Sequence, residues 1–397
     1  MKLIHTSDWH LGQNFYGYDR SDDHCLMTDV LAELVAEEQP DLLVVSGDIY
    51  DTATPSASVQ KQLSEYLLKI RKACPDMKII CISGNHDSAS RHEIFQMPWE
   101  ELGVYMMGRF DRLNSRSGVF TIRDKCIVAA VPYINYRFTD DYALFQVLEE
   151  EVNQLNHNQL PLVFVGHLAV SNCNVEGHEI LDDKYVGGIE YTDISRLGTS
   201  YDYYALGHIH KAQTFYGGRA RYCGSPCPVS FDEVRPGYEH GFTIVEMERH
   251  GEPPLIRTVN INGCIPLVNI PSEDYAPWNE VMRELNEFPA TLEAYIRLNV
   301  LLEDNSFLPI DRERQVANAL AGKQGKYCLI NPVRRTNIVR GNDNAVRSLA
   351  MEELQKTDPM QLIKMHYSQT GRTFDCQTEE MFRMVIANIE GGNQDED

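Results

Sequence analysis

A chain of 397 residues with 43% hydrophobic residues can bury a sizeable core, and its length predicts about two to three domains. Nothing in it approaches the roughly 18 consecutive apolar residues that span a bilayer, and MKLIHTSDWH enters a strand-like run without the parts of a secretory signal, so a cytoplasmic location is expected. A formal charge of −22 argues against a surface that grips nucleic acid everywhere, so phosphate would have to meet bound divalent cations or a local basic cluster.

The predicted elements run in chain order. After KLIHTS, apolar residues at spacings of three and four (Leu26, Val30, Leu34) predict a helix, and Leu42 to Ser46 has the length and composition of a buried strand. A second helix is written in Val59, Leu63, Leu67 and Ile70, and further buried strands in Ile79 to Ser83, Ile127 to Val131, Leu162 to Val165 and Tyr203 to Leu206. Strands alternating with helices predict an α/β sheet. From Phe242 the runs FTIVEME and LIRTVNI alternate as half-buried strands do. Past Pro271, a helix from Trp278 to Leu285, a strand in TLEAYIRLNVLLE, a helix from Arg312 to Leu320 and a strand in KYCLI predict a separate small α+β domain. The chain from Val346 reads as polar helix, ending in a disordered GGNQDED. The boundaries expected are 1–265, 266–345, 346–390 and 391–397.

The chemistry lies in the turns that leave the strands. Asp8-Trp9-His10 follows KLIHTS, Gly47-Asp48 follows LLVVS, Gly84-Asn85-His86-Asp87 follows IICIS, Gly166-His167 follows LVFV, and Gly207-His208-Ile209-His210 follows YYAL. Ligands bind outside the carboxyl ends of strands in open α/β sheets, so these turns are expected to gather Asp8, Asp48, Asn85, His10, His167, His208 and His210. A glycine beside four of the five groups is read as permitting a tight turn. Such a donor set suits two cations, with Asp48 able to bridge them. A phosphodiester must be attacked while charged and must expel an alkoxide, and a pair of cations addresses both difficulties. His86, next to a ligand but out of step with it, is the candidate general acid.

In these residues the sequence resembles the calcineurin-like metallophosphoesterases, whose motifs run D-x-H, GD, GNHD, GH and GHxH in this order. The resemblance implies a layered sheet sandwich with helices outside, a first metal on Asp8, His10, Asp48 and His210, and a second on Asp48, Asn85, His167 and His208. TSDWHLGQNFY, GDIYDTATPS, ALGHIHKAQ and RYCGSPCPVSFDE narrow it to the bacterial SbcD-type nucleases. That implies a nuclease domain in 1–265, a capping domain in 266–345 and an ATPase-docking helical segment in 346–390, with Met351, Leu354, Leu362 and Met365 as apolar contacts. It also implies two divalent cations, Mn²⁺ above Fe²⁺, Co²⁺ or Zn²⁺, and two such subunits pairing through early helices within a heterotetramer with an SbcC-like SMC-type ATPase. The activity implied is 3′–5′ exonuclease on duplex DNA and endonuclease on single strands and hairpins, in DNA end processing, replication and recombination. Archaeal and eukaryotic relatives place a histidine where this chain has Asp51, which is expected to orient His86 through a hydrogen bond.

Plainer readings stand beside these. Cys81 and Cys126 read as reduced core residues, and Cys223 with Cys227 lacks a second pair for structural zinc. His5, His24, His92, His157, His178, His240, His250 and His366 are assigned surface or satisfied core roles, Trp9 suits a core, and Gly224-Ser225-Pro226 suits either a turn or a loop near the site. Arg334, Arg335, Arg340 and Arg347 form the densest basic cluster, equally well a solvated face. A protein phosphatase on the same fold would carry a phosphate-gripping arginine soon after GD, which GDIYDTATPS lacks. Smaller phosphodiesterases usually lack a long C-terminal extension, and a scaffold without chemistry would not keep every ligand position filled.

Overall fold

Near-continuous apolar runs form strands whose two faces are both covered, and the chain builds many of them. All the strands among the described residues, in order, are β1 (Lys2–Thr6), the hairpin β2 (Asn14–Phe15) and β3 (Tyr18–Asp19), β4 (Leu42–Ser46), β5 (Lys78–Ile82), β6 (Val104–Met107), β7 (Val119–Ile122) and β8 (Cys126–Val131). They continue with β9 (Leu162–His167), β10 (Tyr203–Gly207), β11 (Gln213–Phe215), β12 (Ala220–Tyr222), β13 (Gly241–Glu246), β14 (Leu255–Asn260), β15 (Leu267–Ile270), β16 (Ala294–Leu302) and β17 (Gly325–Arg334). The helices are α1 (Ser21–Glu38), α2 (Ala57–Ala73), α3 (Ala89–Ile94), α4 (Gln96–Glu101), α5 (Tyr142–Leu155), α6 (Trp278–Glu287) and α7 (Arg312–Ala319). The structure, a computed structural model, describes residues 1–94, 96–111, 114–134, 142–171, 173–174, 192–235, 237–303, 306–335 and 379.

Two sheets form where the residues alone suggested one. The first has the order β14-β13-β1-β4-β5-β6 and the second β11-β12-β10-β9-β8-β7. The first is parallel through β1-β4-β5-β6 and antiparallel only at its β13-β14 edge, whereas the second is parallel through β8-β9-β10-β12 and carries an antiparallel strand at each edge. Alternate residues explain the layering. Leu42 and Val44 of β4 face Val163, Val165, Tyr203 and Ala205 of the other sheet, whereas Leu43 and Val45 face Leu31, Leu63, Leu67 and Ile70 of α1 and α2. Helix α5 covers the far sheet with Phe145, Leu148 and Val152. The result is a helix–sheet–sheet–helix sandwich, as expected.

The buried stripe of α1 runs through Met27, Leu31, Leu34 and Val35, one residue out of phase with Leu26 and Val30, which are half-buried. Helix α2 begins at Ser56, whose Oγ accepts from the Val59 amide, and buries Leu63, Leu67 and Ile70 as predicted.

Contacts divide the chain into two units, residues 1–300 with 308–332, and residues 301–307 with 333–397. Most of β16 and β17 lies in the first, where they form a three-stranded sheet with β15, and Leu267 and Tyr295 pack with Phe15 and Phe231. Within the second, Arg335 pairs with Glu303 at 2.8 Å, and Arg334 binds the Glu303 carbonyl at 3.3 Å and lies over Phe307. Those two arginines are thus engaged within their own chain; Arg340 and Arg347, the apolar residues Met351, Leu354, Leu362 and Met365, and the expected tail lie outside the described residues. No helix among the described residues is long and apolar enough to cross a membrane.

Candidate metal centre

The carboxyl ends of β1, β4 and β5 in one sheet and of β9 and β10 in the other meet at one rim. Backbone bonds braid the turns together: Asp8 N donates to Gly47 O (3.0 Å), His10 N to Asp48 O (3.1 Å) and Leu11 N to Ile49 O (2.9 Å). His167 Nδ1 donates across the sheets to Ser46 O at 2.8 Å, and His208 N donates to Asp8 Oδ1 at 3.2 Å. Asp8, His10, Asp48 and His208 all have positive φ (53°, 48°, 47° and 102°), a conformation that Asp and His tolerate better than most residues and that clusters at functional sites.

The neighbouring glycines make room more than they turn the chain. Only Gly47 has positive φ (95°), and there a Cβ would also lie 2.2 Å from His167 Nδ1. A Cβ on Gly84 would fall 2.1 Å from Asp48 Oδ1, and one on Gly207 would fall 2.0 Å from Ser46 O. The same Cβ on Gly84 would fall 2.3 Å from Asp48 N, so Gly84→Ala is expected to displace the backbone of the Asp48 turn together with its carboxylate. Calorimetric titration with Mn²⁺ should show cation affinity falling by at least about tenfold, as for other displaced ligand supports; unchanged affinity would show that the loop yields instead.

Two clusters of donor atoms result, Asp8 with His10 and His210, and Asp48 with His167 and His208, each with its atoms within 4.8 Å of one another. Asn85 Oδ1 joins the second, 3.0 Å from both His167 Nε2 and His208 Nδ1. Asp48 spans the two: its Oδ2 is 3.3 Å from His167 Nε2 and 3.9 Å from His10 Nε2. All seven predicted ligand residues are brought together.

The family match decides what kind of site this is: residues 1–212 match the calcineurin-like phosphoesterase family. The chain belongs to that family. Among curated relatives, the SbcD subunit of the SbcCD nuclease of Rhodobacter capsulatus is 29% identical over 72% of this chain and 75% of its own. That of Escherichia coli is 26% identical over 77% and 80%, and that of Bacillus subtilis is 27% identical over the full length of both.

The phosphoesterase's donor set fits divalent cations. His10 Nε2 is buried with no hydrogen-bond partner while Nδ1 donates to Asp51 Oδ1 at 3.2 Å, so a polar atom that burial penalises is aimed at carboxylates and imidazoles. Burial alone would depress the basicity of His10, yet the Asp51 hydrogen bond and the charges of Asp48, Asp51 and Asp8 push it up to about 9. For His167 the opposition is the same, with Asp48 and Asp8 outweighing burial to push it up to about 9. Burial and the adjacent His167 push His208 down to about 3, keeping it neutral. Burial would raise the Asp48 carboxyl too, but His167, His10 and His86 hold it well below the usual carboxylate range.

These directions fix a pH dependence. A cation needs neutral imidazoles, so it must displace protons from His10 and His167. Divalent-cation affinity is expected to rise steadily from pH 6.5 towards 9, with up to two protons released per chain, measurable by titration calorimetry in buffers of different ionisation heat. The folded chain's own stability runs oppositely: both pKa values lie above the ordinary one near 6.5, so this contribution is complete below 6.5 and lost towards 9. Flat affinity with no proton release would contradict the assignment.

His86 and Asp51 meet, though not as expected. His86 Nδ1 donates to the Asp51 backbone carbonyl at 2.9 Å, while the Asp51 carboxylate holds His10. Asp87, outside the predicted set, locks the same loops by accepting from Ile49 N (3.1 Å), Tyr50 N (2.9 Å) and Gly84 N (2.8 Å), with His92 Nε2 3.5 Å away. His5 is a neutral core residue between Tyr203 OH and Ser46 Oγ, both at 2.8 Å, pushed down to about 3 by burial. Trp9 is buried, donating to Thr6 Oγ1. The Gly224-Ser225-Pro226 loop abuts His210, since Ser225 N donates to its carbonyl at 3.2 Å.

Proposed function

We propose that this phosphoesterase is a DNA nuclease subunit like its SbcD-named relatives, a 3′–5′ exonuclease on duplex DNA and an endonuclease on single strands and hairpins. The observation that carries this is the pair of clusters sharing Asp48 at one rim, in a chain whose relatives of that name match it over most of their length. Asp8, His10, Asp48 and His210 would hold one cation, and Asp48, Asn85, His167 and His208 the other, with Mn²⁺ the proposed metal because imidazole, amide and carboxylate donors all suit it. When bound, two such cations neutralise a phosphodiester, favour deprotonation of the attacking water and keep the attacking and leaving oxygens in line.

The chain's own groups then have separate tasks. Ser46 O and Asp51 Oδ1 fix the protonated nitrogens of His167 and His10, leaving Nε2 as the lone-pair nitrogen of each ring. With Nδ1 of His86 donating to the Asp51 carbonyl, Nε2 is the nitrogen that carries a proton to the leaving oxygen. The net charge of −22 is compatible with DNA because attraction need exist only where phosphate sits. A second copy of the chain and an SbcC-like ATPase complete the proposed assembly in DNA end processing, replication and recombination.

The test is incubation of the pure chain with end-labelled duplex and hairpin DNA, with and without Mn²⁺, ATP and the ATPase. Loss of label only with metal supports the reading. Label retained under every condition, or lost equally in chelator, removes it.

A further inference from the structure

We propose that Glu233 is a positioning residue for the first cation cluster, acting through His210; this rests on the two-cation reading above. Glu233 lies outside all five strand-end motifs, in the turn Phe231–Glu233 that Ser230 caps by accepting from Asp232 N at 3.2 Å. Its side chain is fully buried. A buried carboxylate is costly unless its oxygens are satisfied, and here they are: Oε1 accepts from His210 Nδ1 at 3.0 Å, Oε2 from Ser225 Oγ at 3.0 Å, and Val229 N lies 3.3 Å from each. His240 Nε2 stands 3.7 Å from Oε2, and its Nδ1 donates to Ser225 O at 3.0 Å.

A carboxylate can only accept, so the proton of neutral His210 sits on Nδ1 and the lone pair on Nε2, the tautomer a cation requires. The same device fixes His10 through Asp51 and His167 through Ser46 O. Those supports stand beside the strand-end motifs; of these three histidines, His210 draws its support from a distant turn. An anionic support also makes the ring a stronger donor than a carbonyl would. The turn is itself anchored by Arg297 of β16, whose Nη1 donates to Asp232 Oδ1 at 2.9 Å and whose Nη2 donates to Phe231 O at 3.3 Å. The three-stranded sheet thus reaches the cation cluster through Arg297, the turn and Glu233.

A mere loop staple would use the Ser225 and Val229 contacts without caring about His210, and the two roles separate experimentally. The full chain and its Glu233→Gln and Glu233→Ala variants are titrated with Mn²⁺ by calorimetry, with circular dichroism and thermal melts alongside. Glu233→Gln keeps shape and an acceptor oxygen but removes the charge, so it decides the matter even where Glu233→Ala fails to fold. The expected result is two ions on the wild type, and on Glu233→Gln one site unchanged and the other weakened about 10- to 100-fold. In Glu233→Ala, nitrogen NMR of His210 should show loss of the exclusive Nδ1–H tautomer. Two unchanged sites in Glu233→Gln, or equal weakening of both, overturns this proposal alone. Fewer than two ions on the wild type overturns the two-cation reading beneath it.

Discussion

Asp48→Ala is expected to lower metal-dependent cleavage by at least about a thousandfold, the largest effect of any single substitution at the rim. Each other donor belongs to one cluster, whereas Asp48 Oδ2 reaches His167 Nε2 at 3.3 Å and His10 Nε2 at 3.9 Å, so one truncation is expected to disable both proposed sites. Its Oδ1 also accepts from His86 N at 2.9 Å, so the GNHD loop loses its tether. The fold should survive, because the buried imidazoles need not remain as unpaired cations. Deprived of the carboxylate, His10 and His167 release their protons at lower pH than the values near 9 they otherwise hold. Mn²⁺ titration should find neither site at wild-type affinity, and proton NMR should show the two histidines titrating downward. Two tightly bound ions in this variant would remove the bridging role.

Strands such as β4, β9 and β10 were legible because burial on both faces demands an uninterrupted apolar run, and runs this short are too brief to span a bilayer as helices. Their pairing into two sheets was not, since no local signal distinguishes a neighbour in one sheet from a neighbour across a sandwich. The residues that gather at the rim were legible because each sits at a strand end, most of them beside a punctuating glycine. The glycines serve a different purpose from the tight turn their position suggests: three of the four relieve contacts with Asp48, Ser46 or side chains around the second sheet, without positive φ. The left-handed conformations fall on Asp8, His10, Asp48 and His208 instead, where sequence carries no mark of them. Glu233, His240 and His92 leave no such signal because a support is defined by the atoms it touches; His210 and Glu233 are 23 positions apart with no periodicity between them. Asp51 shows a further limit, because the bond to His86 comes from a backbone carbonyl that any residue supplies.

That backbone bond sharpens the expectation for His86→Ala. Removing the side chain leaves the His86 amide, which donates to Asp48 Oδ1 at 2.9 Å, so the bridging carboxylate keeps its tether and both cations should bind with affinities close to wild type. The variant loses the imidazole whose Nδ1 is pinned by Asp51 O and whose Nε2 is proposed to protonate the departing oxygen. A positioned acid contributes roughly 10²- to 10⁴-fold, and the loss should fall in that range for DNA, whose leaving alkoxide is a strong base. Bis-p-nitrophenyl phosphate expels a stable phenolate that needs no proton, so the variant should hydrolyse it within about tenfold of the wild-type rate. The contrast between substrates identifies an acid. An equal loss on both would mean that His86 positions the phosphate instead, and normal cleavage of DNA would leave it no part in the reaction.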